Sequence, residues 1–372
     1  MNAPSLIATA VAAGPSLAIP GPYWLFTLLH WLTFVLHLIA MNLLLGGLLV
    51  FLIAGSSPLR KLLFDAQTRL FPTLMAATIT LGVAPLLFVQ VIYGRLFYSA
   101  SIVSAWNWFL IVPVLLVVYY LLYASALAQK LSPPTKLVLL VVAATGLVYI
   151  SYTFTMISDL AEKPHLWGEL YQASPQGLSL NPSYVETIFR WLHTLAGALA
   201  VAGIGIMYMA LYHPKIRPNR QLLAFGGRIF MLGVIKAAVF GTVYLFTLDK
   251  PIFTAFLASP GLHAILSAII LNVVAVFLIY KAAAGGEQAH LKLWTAALLV
   301  LAALLCMVIG RHVLRLVYLN GYFNPADLAT RPQWPVFGVF LAFFIIGLMA
   351  FFWMLRRYFS SRNAETQAGP PT

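Results

Sequence analysis

The sequence predicts an all-α protein that crosses a membrane about nine times. Hydrophobic residues make up 62% of its 372 residues and charged residues only 8%, so hydrocarbon rather than water must surround most of the chain. Apolar runs long enough to cross about 30 Å of hydrocarbon recur along the whole length, whereas the short alternating strands of a membrane barrel are absent. A water-soluble fold is therefore excluded.

Proline, glycine and charged residues bound the predicted membrane spans. The spans cover residues 22–54, 70–95, 103–129, 135–159, 185–212, 221–248, 251–281, 292–318 and 333–357. They form one predicted transmembrane domain, 1–362, and the polar segment 363–372 is predicted to be a disordered cytoplasmic tail.

The net charge of +13 indicates orientation in a membrane rather than nucleic-acid binding, because Lys and Arg gather in alternate short loops. These basic residues are Arg60, Lys61, Arg69, Lys130, Lys136, Lys215, Arg217, Arg220, Lys281, Lys292, Arg356, Arg357 and Arg362. The positive-inside rule predicts a multi-pass protein of a bacterial or archaeal cytoplasmic membrane, with its N-terminus outside and its C-terminus in the cytoplasm. The longest outer loop, 160–184, carries Glu162 and Glu169 and is the predicted docking surface for a partner.

The histidines and the lone cysteine narrow the chemistry. Cys306 stands alone within an apolar run, which excludes a disulfide framework, a Cys-based metal site and covalent c-type haem. Histidine is costly and rare inside a membrane. At about 1.5 Å per residue, five of the eight histidines fall in the outer half of the spans. These five are His30, His37, His193, His263 and His312. The other three fall in loops and are expected to be solvated.

Three roles are open to such a group of histidines: haem ligation, a proton relay or hydrogen bonding between helices. A relay needs carboxylates, and the only acids within or at the margins of the predicted spans are Asp159 and Glu186. Buried cations without carboxylates need another anion, which haem propionates would supply to Arg190, Arg311 and Arg315. Haem ligation is therefore the favoured role.

Trp191 is a further candidate for contact with haem. It lies two residues before His193, near the outer end of its span. Like most of the tryptophans it is expected to belong to an interfacial belt. Packing on a porphyrin is the alternative.

Four segments carry a pattern that is similar to subunit I of cytochrome bd, the haem-bearing subunit of the quinol oxidases. They are His37-Leu-Ile-Ala-Met-Asn-Leu-Leu-Leu-Gly, Gly82-Val-Ala with Val-Gln-Val-Ile-Tyr-Gly94, Leu180-Asn-Pro182 with Phe189-Arg-Trp-Leu-His-Thr-Leu-Ala-Gly197, and Gly310-Arg-His312. The resemblance spans about residues 20–358 and implies that His37 ligates a haem of the oxygen site. It implies that His193 ligates the low-spin haem b.

The chain also departs from that family. The membrane glutamates of the third helix have no counterpart between Phe109 and Ser125, and Val308 stands where the family has a ligand glutamate. Where the family uses a methionine as the second ligand of the low-spin haem, this chain offers His263, which predicts a bis-imidazole, electron-transferring haem on His193. The long loop that handles quinol is reduced to 248–251.

These observations predict a haem b-containing oxidoreductase subunit with two or three haems in the outer half of the membrane, a haem d-type variant being an alternative. His30 and His312 would close a second haem, which leaves His37 for a third. The resemblance implies a second membrane subunit as partner, and a c-type cytochrome on the outer face or quinol as electron donor. A terminal oxygen reductase with altered ligands, and a haem-free membrane anchor or transporter, remain as alternatives.

Overall fold

The computed structural model describes residues 18–54, 58–128, 130–213, 216 and 219–367. Within these ranges no residue belongs to a β-strand, and Ile19 and Thr330 form only an isolated bridge. The α-helices are α1 (Tyr23–Ile53), α2 (Pro58–Val103), α3 (Ala105–Phe109), α4 (Ile111–Leu127), α5 (Pro133–Leu160), α6 (Trp167–Ala173), α7 (Tyr184–Tyr212), α8 (Arg220–Thr247), α9 (Lys250–Leu257), α10 (Pro260–Ala283), α11 (Ala289–Leu319) and α12 (Trp334–Gln367).

The all-α membrane fold is confirmed. In the described part of the chain, eight helical segments are long and apolar enough to cross a membrane. They are α1, Leu70–Val103 of α2, Ala105–Leu127, α5, α7, α8, α10 and α11. The ninth predicted span, 333–357, lies in α12, whose described apolar part is Trp334–Gly347. α12 continues to Gln367, so the predicted tail 363–372 begins within this helix, and residues 368–372 lie outside the described ranges.

Prolines divide two of the predicted spans. Pro113 cannot accommodate the carbonyl group of Phe109 four residues earlier, and the helix is interrupted between α3 and α4 at that point. The predicted span 251–281 is divided into α9 and α10, because Pro260 opens a new helix. There the Ser259 hydroxyl caps α10 by accepting the N–H of Gly261 at 3.2 Å.

Small residues bring the central helices close together. A Cβ atom on Gly203 of α7 would lie 2.5 Å from the backbone nitrogen of Phe230 in α8. A Cβ atom on Gly226 of α8 would lie 2.7 Å from the carbonyl oxygen of Gly203. Such close approach of backbones is how membrane helices gain packing without a hydrophobic driving force. It fixes the register of α7 against α8, and α1 packs on both α2 and α7.

The C-terminal ends of α5 and α11 and the N-terminal end of α7 lie at one end of the bundle, which is the predicted outer side. Buried charged groups gather here. The other end is filled by apolar side chains, among them the fully buried Phe51, Phe71 and Phe230. The bundle therefore has one polar and one apolar half.

Candidate functional site

The polar half holds seven charged side chains that form two neighbouring groups of ion pairs, and we call the two groups together the charge cluster. It comprises Asp159, Glu162, Lys163, Glu186, Arg190, Arg311 and Arg315. Because these residues come from α5, α7, α11 and the segment after α5, their ion pairs join three transmembrane helices.

Glu162 is the centre of the charge cluster. Its carboxylate oxygens lie 3.0 Å from Nη1 of Arg190, 3.3 Å from Nη2 of Arg311 and 3.1 Å from Nε of Arg315. Its side chain is only 1% exposed. Glu162 is therefore not exposed on the outer loop, whereas Glu169 is exposed, and docking of a partner on this loop stays a prediction.

The backbone immediately after α5 explains why Glu162 is buried. The N–H of Glu162 donates to the carbonyl group of Asp159 at 3.0 Å, and the N–H of Lys163 donates to that of Leu160 at 3.1 Å. These tight turns direct the chain back across the ends of the helices instead of out to solvent. Farther along the segment, the side chain of His165 reaches solvent. Partial desolvation of its ring, together with the charge of Lys163, lowers the pKa of His165.

The other two carboxylates of the charge cluster also have several partners. Asp159 pairs with Arg190 and accepts the hydroxyl group of Thr187 at 2.5 Å. Glu186 accepts Nζ of Lys163 at 2.6 Å and the hydroxyl group of Tyr318 at 2.7 Å. All three carboxylates are thus buried with partners, as the cost of desolvating a charge requires.

The ion pairs of Glu162 change what was predicted for the three arginines. Arg190, Arg311 and Arg315 were expected to need haem propionates because they lacked carboxylates, but Glu162 serves all three. In the cluster as described, three carboxylates face four cations, which leaves one positive charge in excess. Nη2 of Arg190 is buried without a hydrogen-bond partner in the described structure. A propionate contact therefore stays a prediction, supported by this excess rather than by unpaired arginines.

His193 is held against the neighbouring helix by its backbone. Nδ1 lies 2.8 Å from the carbonyl oxygen of Ala237 in α8. A Cβ atom on Gly241, one turn farther along α8, would lie 2.8 Å from the same Nδ1. A glycine is therefore required for the ring to reach the carbonyl group.

His37 repeats the same arrangement on another pair of helices. Nδ1 lies 3.0 Å from the carbonyl oxygen of Thr78 in α2, and a Cβ atom on Gly82 would lie 2.8 Å from that Nδ1. In both cases the carbonyl group precedes the glycine by four residues. Because a carbonyl oxygen only accepts, Nδ1 must carry the proton in both rings. Nε2 then keeps its lone pair.

His30 and His312 lie in a different environment. Together with Phe34, Val308, Arg311 and Arg315, they line a small cavity between α1 and α11. Nε2 of His312 is 3.0 Å from the hydroxyl group of Tyr23. Nδ1 of His30 is buried without a hydrogen-bond partner among the described residues. The ring of Phe34 stacks on His30 at 5.5 Å between centroids and on His37 at 6.2 Å.

The remaining predicted site residues lie apart from these contacts. The side chain of His263 is exposed on α10. Its pairing with His193 on one haem stays a prediction. Trp191 donates Nε1 to the hydroxyl group of Ser151 at 2.9 Å and packs edge-on against Tyr152, so its partners in this structure are side chains of α5.

Several residues of the site had no clear signal in the sequence. The pairing of Gly82 with His37 and of Gly241 with His193 depends on which helices are neighbours. Glu162 and Lys163 follow the last apolar residue of a span, where a solvated loop is the ordinary expectation. The available signal was the excess of arginines over carboxylates inside the predicted spans. Buried arginines require anionic partners, so nearby loop carboxylates were candidates.

In the described ranges, no three His, Cys, Asp or Glu side chains converge as they would around a metal ion held by protein ligands alone. A haem iron differs, because the porphyrin supplies four ligands and the protein one or two. No protein-family model matches the chain, and no curated protein is significantly similar to it. The site must therefore be interpreted from its own geometry.

Proposed function

We propose that the chain is a haem b-containing subunit of a membrane oxidoreductase similar to cytochrome bd, which moves electrons among haems in the outer half of the membrane. The observation that carries the proposal is the matched geometry of His37 and His193. Each ring donates Nδ1–H to a helix carbonyl group beside a glycine. This is the arrangement that fixes a histidine for metal ligation through Nε2.

The surface of α7 beside His193 is bare at one position. Gly197 lies one turn after His193 on the same face of α7, and a Cβ atom placed there would have no neighbouring atom within 4 Å. Because a glycine has no side chain, Gly197 leaves the helix surface beside His193 flat enough for close approach of a ring. A haem on Nε2 of His193 would be bounded on one side by the bare surface at Gly197.

Haem would supply one-electron chemistry that no side chain of this chain provides. The protein would contribute orientation of the iron ligands, through the carbonyl groups of Thr78 and Ala237, and a water-excluding bundle. The excess positive charge of the charge cluster would favour anionic propionates at the outer side. The aromatic series of His30, Phe34 and His37 adds polarisable rings in contact along one face of α1.

A haem-free anchor or transporter is the second candidate, and one observation favours it. The same Nδ1–H bonds that orient His37 and His193 also join α1 to α2 and α7 to α8, which is a sufficient structural role for a membrane histidine. The complete pairing of the three carboxylates of the charge cluster is equally compatible with a structural cluster.

A reduced-minus-oxidised visible spectrum of the purified protein separates the two candidates. We expect a Soret band and a sharp α-band typical of haem b. A preparation that is folded, monodisperse and free of both bands after expression in a haem-replete membrane would support the anchor or transporter instead. Carbon monoxide added to the reduced protein then tests the oxygen-reductase alternative, because it shifts the spectrum only where a haem face is open.

The pairing of His193 with His263 is part of the proposal, and it is testable by one substitution. Replacing His263 with Met should keep the haem and raise its reduction potential, since thioether ligation favours the reduced iron. An unchanged spectrum and potential would show that His263 is not the second ligand. The matched control is His165→Met. His165 lies in a loop, so this substitution should change neither the spectrum nor the reduction potential.

The proposal includes partners. A second membrane subunit, and a c-type cytochrome on the outer face or quinol as electron donor, follow from the resemblance to cytochrome bd. The exposed Glu169 on α6 belongs to the outer loop to which such a donor would dock. Electron transfer from a reduced soluble c-type cytochrome or from a quinol analogue, followed at the haem α-band, distinguishes the two donors.

A further inference from the structure

One face of α8 carries two cations, Arg228 and Lys236, within the membrane-spanning part of the helix. Lys236 lies 16 residues after the start of α8 and 11 before its end. At 1.5 Å per residue these separations are about 24 Å and about 16 Å. If α8 is centred on about 30 Å of hydrocarbon, Lys236 lies about 10 Å inside the outer boundary.

Arg228 lies on the same side of α8, two turns closer to the other end. Both side chains are exposed, and neither forms an ion pair or hydrogen bond with another described residue. An unpaired charge facing hydrocarbon is expensive, and such residues almost always face protein or water. This face of α8 therefore needs a covering that supplies negative charge.

The surroundings of the two cations are apolar and uncovered. Leu232, Ile235 and Val239 are 46%, 62% and 53% exposed. With Arg228 they form a stripe at alternating spacings of four and three residues, which is one continuous helix face. At its inner end, Arg220, Gln221, Ala224, Phe225 and Arg228 line a concave patch. We call the whole surface the α8 face.

We propose that the α8 face is the interface with a second, different membrane subunit, which packs a transmembrane helix on it and directs carboxylates at Lys236 and Arg228. The two cations are about 12 Å apart along α8, so the partner helix would carry its acids seven or eight residues apart. This surface is separate from the histidines of the proposed haem sites, and the inference stands whether or not haem is bound.

Two other occupants fit the α8 face less well. A second copy of this chain would have to offer acids from its own spans, but the acids inside the eight described spans are Asp159 and Glu186, and both are buried and paired. A phospholipid phosphate would reach Arg220 and Arg228 near the membrane surface. It would not reach Lys236 at its depth.

The test begins with the native complex, purified in mild detergent from the membrane of the host. A photo-crosslinking amino acid at Ile235 should label one polypeptide, within a membrane helix that contains Asp or Glu. The control position is Leu298 on α11, which is also 62% exposed, and should label lipid alone. Labelling from Ile235 of phospholipid, or of a second copy of this chain, would overturn the proposal.

Charge variants then test the ion pair. Lys236→Met should fold at least as well as the wild type, because it removes a charge from hydrocarbon, yet it should retain the labelled subunit at least about tenfold less. Lys236→Arg should retain it. Lys281→Met, at the exposed end of α10, is the matched control and should change nothing. Full retention of the subunit by Lys236→Met, or loss of haem with the subunit retained, would overturn the assignment and point to a propionate partner for Lys236.

Discussion

His37 and His193 differ from His30 and His312 in what holds their rings. Each member of the first pair is fixed through Nδ1 by a backbone carbonyl group beside a glycine, and Nε2 has no hydrogen-bond partner among the described residues. The second pair lies beside Arg311 and Arg315, and His312 already bonds Tyr23 through Nε2. The comparison teaches that depth in the membrane alone does not identify a ligand. The partner of the opposite ring nitrogen separates the two pairs, and the ligands we propose are the two whose Nδ1 is held by a carbonyl group.

The largest expected effect concerns the charge cluster beside His30 and His312. Replacing Glu162 with Gln leaves the buried Arg190 and the partly buried Arg311 and Arg315 short of a carboxylate, which should destabilise the fold by about 3–5 kcal/mol. Thermal unfolding followed by size-exclusion chromatography measures the loss. Because Arg311 and Arg315 line the same cavity as His30 and His312, the change should disturb this pair and leave the bonds of His37 and His193 intact.

Glu169→Gln is the matched control for that variant. Glu169 is exposed, seven residues from Glu162 in the same segment, so its loss should change the stability by no more than about 0.5 kcal/mol. Equal stability of the two variants would mean that Glu162 does not balance the arginines.

The second expected effect is on ring orientation. Gly241→Ala places a methyl group 2.8 Å from Nδ1 of His193, so the ring must move from the carbonyl group of Ala237. Haem affinity at that site should fall about 10- to 100-fold, as for the loss of other groups that orient a metal ligand. Titration of haem into the apoprotein measures it.

Gly82→Ala should have the same effect at His37, because its methyl group meets Nδ1 of that ring at the same distance of 2.8 Å. Gly94→Ala in the same helix is the control, since its nearest new contact would be an ordinary 3.8 Å to Tyr98. If Gly241→Ala and Gly82→Ala both bound haem like the Gly94→Ala control, the orientation of these rings would be irrelevant to haem binding.

Gly197→Ala separates haem binding from folding. With no atom within 4 Å of the new methyl group, the apoprotein should become more stable by up to about 1 kcal/mol, as for glycine-to-alanine changes in a helix. A haem packed against that surface would instead lose roughly 1–3 kcal/mol of binding free energy. Parallel denaturation and haem titration measure both quantities, and tighter haem binding by the variant would place the haem elsewhere.

The smallest effect concerns His312. Tyr23→Phe removes its 3.0 Å hydrogen bond and should cost about 1 kcal/mol of stability. The number of bound haems should stay the same if Tyr23, rather than iron, is the partner of His312 Nε2. A gain or loss of one haem would show that iron and Tyr23 compete for this nitrogen, as the predicted ligation by His312 requires.

The membrane fold follows from hydropathy, because every residue in hydrocarbon must satisfy its backbone within a helix. Most of the predicted spans accordingly begin and end within a few residues of the helices found, as for 185–212 and Tyr184–Tyr212, whereas span 70–95 ends eight residues before Val103. The breaks before Ile111 and Pro260 were not predicted, since apolar runs continue across them. They depend on single prolines.

The site was less predictable because it depends on tertiary contacts. His37 and His193 are visible in the sequence, but the carbonyl groups that orient them belong to helices whose register no local pattern gives. Glu162 is two residues beyond the end of α5, and only the turn after Leu160 buries it. Residues outside the spans therefore contribute charged groups to the charge cluster.

The most direct test of the account is the haem content of purified variants, measured as pyridine haemochrome per mole of protein. The wild type should contain two or three haems b, and His37→Ala and His193→Ala should each lose one, while His165→Ala keeps the full number. Loss of one haem should leave the remaining spectrum intact, which separates loss of a ligand from unfolding. A folded wild type without haem, or an unchanged haem content in both variants, would contradict the assignment of these two histidines.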